Sequence, residues 1–130
     1  MQILALYSGL LGLTLLFLSY KVVGNRKKYE VGIGDGENIE LARAIRVHAN
    51  FTEYVPLALV LLAVFEFNQG NEIVAHIAGS CLFLGRILHA YGLGKSVGTS
   101  LGRFIGVLLT WLVILSLSGI NIYFFINSAI

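Results

Sequence analysis

The sequence predicts an all-α integral membrane protein: one four-helix bundle domain covering residues 1–130. Three observations predict it. Mean hydropathy is +0.83, and 57% of residues are hydrophobic while only 12% are charged, about half the charge of a typical soluble domain. Four apolar segments are separated by short polar links, and the link-proximal Lys and Arg lie only in or beside the first and third links. The net charge of +2 and the lack of a basic cluster interleaved with aromatics exclude a nucleic-acid partner. The single Cys81 excludes an internal disulfide. With no cation adjacent in sequence to lower its pKa, it reads as a buried, inert thiol.

The first segment, residues 3–23, has no charge before Lys21 and spans roughly 30 Å at 1.5 Å per residue, enough for the hydrocarbon core. It lacks the basic flank and Ala-x-Ala site of a cleaved signal. The first link, residues 24–38, contains Gly32-Ile-Gly-Asp-Gly36. That spacing does not fit a phosphate-binding loop and predicts a tight turn on glycine's positive φ, entering a helix with Glu37 and Glu40 at its favourable dipole end.

Segments two and three have charge-free runs of only residues 54–65 and 73–85, each too short to cross a bilayer. They become spans if Arg46, Asn50 and Glu53 on one and Arg86 on the other face inward. Spacing supports this, because Arg43, Arg46, Asn50, Glu53, Tyr54 and Leu57 are linked by steps of three and four that share one helix face. Pro56 should kink the second helix beside that stripe. Glu66 and Glu72 flank the link at residues 68–71 and should be solvated, whereas His76 reads as structural. The fourth segment, residues 104–130, is uncharged throughout and follows a link at residues 92–102.

Lys21, Arg26, Lys27, Lys28, Lys95 and Arg103 lie in or beside the first and third links. The positive-inside bias therefore makes those links cytoplasmic and both termini non-cytoplasmic. Arg86, His89 and Arg103 then share the depth of the polar stripe. Ionisable groups at such depth ordinarily line a wet cavity or a protein interior. Four arginines (43, 46, 86 and 103) against the single Glu53 leave a positive surplus that calls for an anionic ligand rather than a purely structural network. Histidine spacing gives no expectation of a metal. Ser8, Gly9 and Gly12 on the first helix and Gly106, Ser116 and Gly119 on the fourth permit close helix approach between protomers.

Arg46-x-His48-x-Asn50-x-x-Glu53-Tyr54-x-Pro56 resembles the signature of the MAPEG proteins, the membrane-associated proteins of eicosanoid and glutathione metabolism. Gly34-Asp-Gly36 and Gly85-Arg86-Ile-Leu-His89-Ala-Tyr91-Gly92 are similar to the small bacterial members. The resemblance covers nearly the whole chain. It implies an inner-membrane homotrimer that binds glutathione between protomers at the cytoplasmic side and uses it as cosubstrate of a transferase or peroxidase acting on lipophilic electrophiles. It further implies that Arg46, His48, Asn50, Glu53, Tyr54, Arg86 and His89 contact glutathione and that Arg103 stabilises its thiolate. Relatives that make leukotrienes carry tyrosine where this chain has His89. Some also have a first-helix arginine at the position of Gly24, for which Arg26 is the available substitute. These departures count against the eicosanoid activities. The alternatives are a non-catalytic member that binds glutathione or lipid, and a small transporter subunit, which would need repeats or broken helices that the sequence lacks.

Overall fold

The computed structural model describes residues 1–95, 98 and 100–128. The third link's residues 96, 97 and 99 and the last two residues of the fourth predicted segment lie outside the described residues.

Four helices follow in order: α1 (Gln2–Tyr29), α2 (Ile39–Phe67), α3 (Glu72–Lys95) and α4 (Leu101–Ser128). Each is long and apolar enough to cross a membrane. Helix α1 runs on past the predicted residue 23, with Arg26, Lys27 and Lys28 in its last turn, where cations favour the negative end of the helix dipole. It ends at Glu30 in the left-handed region (φ 57°).

Side-chain caps start the other helices. Asn38 Oδ1 accepts from the backbone N–H of Glu40 and Leu41, each at 3.0 Å. Asn71 Oδ1 does the same for Ile73 at 2.9 Å, and Ser100 Oγ for Arg103 at 3.3 Å. The glycine-rich link is a turn, with φ of 71° at Gly34 and 57° at Gly36. Glu37 belongs to that link (φ 61°), so only Glu40 occupies the first turn of α2. Asn38, whose side chain caps the Glu40 and Leu41 N–H groups, sets the boundary.

Helix α1 packs on α2 and α3, α4 packs on the same two, and α1 and α4 do not touch among the described residues. The core is a narrow seam. On α2 it runs Phe51, Val55, Ala58, Leu62 and Phe65 in alternating steps of four and three, meeting Leu11 and Leu18 of α1, Leu82 of α3 and Leu117 of α4. Leu13, Leu16, Trp111, Leu115 and Phe125 point outward and are exposed, as lipid-facing side chains should be.

At the end opposite the basic links, Glu66 is not solvated. Its side chain is 7% exposed, 3.3 Å from the α-amino group, and accepts from the backbone N–H of Leu4 at 2.7 Å. A carboxylate over the first turn of α1 meets orphan N–H groups that the bilayer boundary leaves without other partners. One turn deeper, the Tyr7 hydroxyl lies 2.6 Å from Ser80 Oγ and 3.1 Å from the His76 carbonyl oxygen, tying α1 to α3.

Candidate functional site

The polar face of α2 divides into an outer and an inner layer near the basic end. In the outer layer, Arg46 lies along two helical turns and donates both terminal nitrogens to Glu53, at 2.9 and 3.2 Å. The two side chains remain 56% and 45% exposed. On the outer face of a membrane helix, such a pair requires water, a ligand or a neighbouring protein to cover it.

The inner layer centres on Arg86, which is 2% exposed. Its Nη1 donates to Asn50 Oδ1 at 2.8 Å and its Nη2 to the Gly106 carbonyl at 3.1 Å. The guanidinium also lies 5.7 Å from the centre of the Tyr54 ring, a cation–π contact. One side chain thus joins α2, α3 and α4. Among the described residues no carboxylate pairs with it, and its Nε has no partner. Among the described residues, its buried positive charge is therefore uncompensated.

The reach from Arg86 to Gly106 depends on a close crossing of α3 and α4. A Cβ on Gly106 would meet the Gly85 carbonyl and come within 2.7 Å of His89. His89 is buried at this crossing, within electrostatic reach of Arg86, Arg103 and Arg46. Arg103 is half-buried in the first turn of α4. Arg46, Asn50, Glu53, Tyr54 and Arg86 are therefore brought together, with His89 one turn along α3 from Arg86 and the Arg103 backbone against Gly92.

Three expected positions face elsewhere. Arg43 turns toward α3, where its Nη1 points at the Gly94 carbonyl at 3.5 Å, so the four arginines do not share one site. Its step of three from Arg46 places it on the flank of the stripe nearer α1. His48 Nε2 is 3.0 Å from Ser19 Oγ on α1. Arg26 Nη1 donates to the carbonyls of Val31, Gly32 and Gly34 at 3.0 to 3.3 Å, closing the first link. Sequence reasoning missed Ser19 and the Gly106 carbonyl. Ser19 carried no signal, and Gly106 showed only a small residue in an apolar run, which does not reveal which backbone group it exposes.

The MAPEG family profile matches residues 4–123. The chain is also 38% identical over 120 residues, 92% of its length and 90% of the relative's, to the inner membrane protein YecN of Escherichia coli K12. The same figures hold for YecN of Escherichia coli O6:H1 strain CFT073. With four membrane-length helices and a family match over almost its entire length, the chain is an integral membrane protein that belongs to the MAPEG family.

Proposed function

We propose that this protein is a glutathione-dependent transferase or peroxidase of the inner membrane, acting on lipophilic electrophiles. The observation that carries the reading is the charge balance of the α2–α3–α4 cluster. Among the described residues Arg46 pairs with Glu53, while no carboxylate pairs with Arg86 or Arg103, a surplus of two positive charges on neighbouring turns of α2, α3 and α4. Glutathione has two carboxylates, one ammonium and a thiol. Its ammonium can replace Arg46 at Glu53 while a carboxylate takes the freed guanidinium, so the Arg46–Glu53 pair is the resting form of a zwitterion-binding site.

A free thiol titrates near about 8.5, and a guanidinium beside it favours the thiolate. Arg103 would supply that field, since arginine cannot take a proton at neutral pH. In transfer, a sulfur–carbon bond forms as the bond to the leaving group breaks. In peroxide reduction, the thiolate accepts the distal oxygen, the alcohol departs, and a second glutathione forms the disulfide with release of water. The electrophile reaches the thiolate sideways from the bilayer.

The half-exposed ion pair also supports a homotrimer with glutathione between protomers, where His48 and Arg26 would be offered by a neighbour rather than by the same chain. The test is titration calorimetry with glutathione, followed by conjugation of a chromogenic aryl electrophile by the purified protein. Arg103→Ala should leave binding nearly unchanged and raise the pKa of bound thiol, followed as thiolate ultraviolet absorbance against pH. Absence of binding in the trimeric protein overturns the reading; binding without turnover establishes the non-catalytic alternative.

A further inference from the structure

A second recess opens at the basic end, on the side of α2 facing α1. It encloses about 420 Å³ between α1, α2 and α3, within the range of roughly 300–1,000 Å³ typical of small-molecule pockets. None of its lining side chains belongs to the Arg46–Arg86–Arg103 cluster. Helices α1 and α2 each supply a cation one turn from an apolar side chain, and α3 supplies Ile87, Ala90, Tyr91 and Gly94. Lys21 and Arg43 stand at the mouth, while Phe17, Leu18, Val47 and Ile87 form the walls a turn or two deeper.

The mouth carries surplus positive charge. Glu40 also lines it, but its Oε2 accepts from Lys28 at 3.0 Å and from the Tyr29 hydroxyl, so its charge is met mainly from outside the recess, with Arg43 the lesser partner. Among the described residues, Arg43 makes only two long contacts to backbone carbonyls, at 3.4 and 3.5 Å. The Lys21 ammonium lies 5.4 Å from the Phe17 ring centre, held over the entrance.

We infer that this recess is a binding site for one anionic phospholipid, its phosphate held by Lys21 and Arg43 and the start of an acyl chain lying along Phe17, Leu18, Val47 and Ile87. The arrangement of cations above an apolar trough fits an amphiphile and not a free polar metabolite. Moving an acyl chain from bilayer to trough brings no hydrophobic gain, because lipid tails are as apolar as the trough. Selectivity therefore resides in the headgroup: a guanidinium and an ammonium attract phosphate, and a zwitterionic headgroup brings its own cation into conflict with them. Basic pockets between membrane helices are suited to this use, each basic group contributing about fivefold in affinity for anionic lipid.

The site is independent of the glutathione reading and is tested without it. Intact protein in detergent is mixed with equimolar phosphatidylglycerol and phosphatidylcholine of matched chains, and bound lipid is read by native mass spectrometry. Phosphatidylglycerol should be retained over phosphatidylcholine by roughly 30-fold, the product of two basic contributions. Lys21→Gln with Arg43→Gln should erase that preference. Lys21→Gln alone, at an exposed position that leaves folding untouched, should lower it about fivefold. Lys27→Gln, an exposed lysine of α1 outside the recess, should leave it unchanged. Equal retention of the two lipids, a preference that survives the double substitution, or an equal loss in Lys27→Gln would each overturn the proposal.

Discussion

Within the α2 cluster, Glu53 and Asn50 sit one turn apart and have opposite energetic roles. Glu53 is half-exposed, so its pair with Arg46 contributes little to folding, about 0–1 kcal/mol for exposed pairs. Its value would lie in holding a ligand ammonium. Glu53→Gln should therefore leave unfolding in mild detergent nearly unchanged and weaken glutathione binding by roughly tenfold or more, the scale of a lost charge-assisted hydrogen bond. Titration calorimetry checks it, and unaltered affinity would remove Glu53 from the site. Asn50 is 9% exposed and holds Arg86 Nη1 at 2.8 Å. Asn50→Leu strands a buried guanidinium and should lower stability by about 1.5–3 kcal/mol. Detergent-titrated unfolding measures it, and a change below about 0.5 kcal/mol, the scatter of ordinary surface substitutions, would show that Arg86 finds another partner.

Between elements, small residues have two distinct uses. Gly106 lets α4 approach α3 until a Cβ would strike Gly85 and His89, whereas a Cβ at Gly9, Gly12 or Gly119 meets nothing within 4 Å. Sequence grouped all four as contacts between chains of an oligomer; the structure assigns Gly106 to packing within a single chain. Gly106→Ala should destabilise by roughly 1–3 kcal/mol, the cost of overpacking, and push the carbonyl away from Arg86. Gly119→Ala should leave the protomer's stability within about 0.5 kcal/mol. If Gly119 instead packs against a neighbouring chain, the same substitution lowers the oligomer fraction on size-exclusion chromatography. Comparing the two variants in thermal unfolding and oligomer assays separates the two uses.

For the whole molecule, the expected arrangement is three protomers with both termini outside the cytoplasm. Every link-proximal Lys and Arg lies at the end shared by the first and third links, so the positive-inside bias predicts that end to be cytoplasmic. A reporter fused to the C-terminus should signal from the non-cytoplasmic side, and one in the third link from the cytoplasm. The opposite pattern would place the arginine cluster away from cytosolic glutathione. Native mass spectrometry should show a trimer in mild detergent; a predominant monomer would leave the Arg46–Glu53 pair without the cover that lipid cannot give.

The sequence alone determined the class, the number of spans and the polar stripe. Hydropathy, helical period and the distribution of basic residues are local properties, and a bilayer converts them directly into helices and their boundaries. It also marked Arg46, Asn50, Glu53 and Arg86 as inward-facing, because charges in short apolar runs have few other places to go; the structure buries Asn50 and Arg86 but leaves Arg46 and Glu53 about half-exposed. Tertiary structure alone decided how these groups are divided. Arg86 is buried because Gly85 and Gly106 allow α3 and α4 to close around it. Arg43 leaves the cluster because α1 and α3 open a recess on its side. Glu66 is taken out of solvent because the chain folds back to set the first turn of α1 upon it. Each outcome depends on contacts between residues far apart in the chain, and helical periodicity fixes the face a residue occupies without fixing which neighbour meets it.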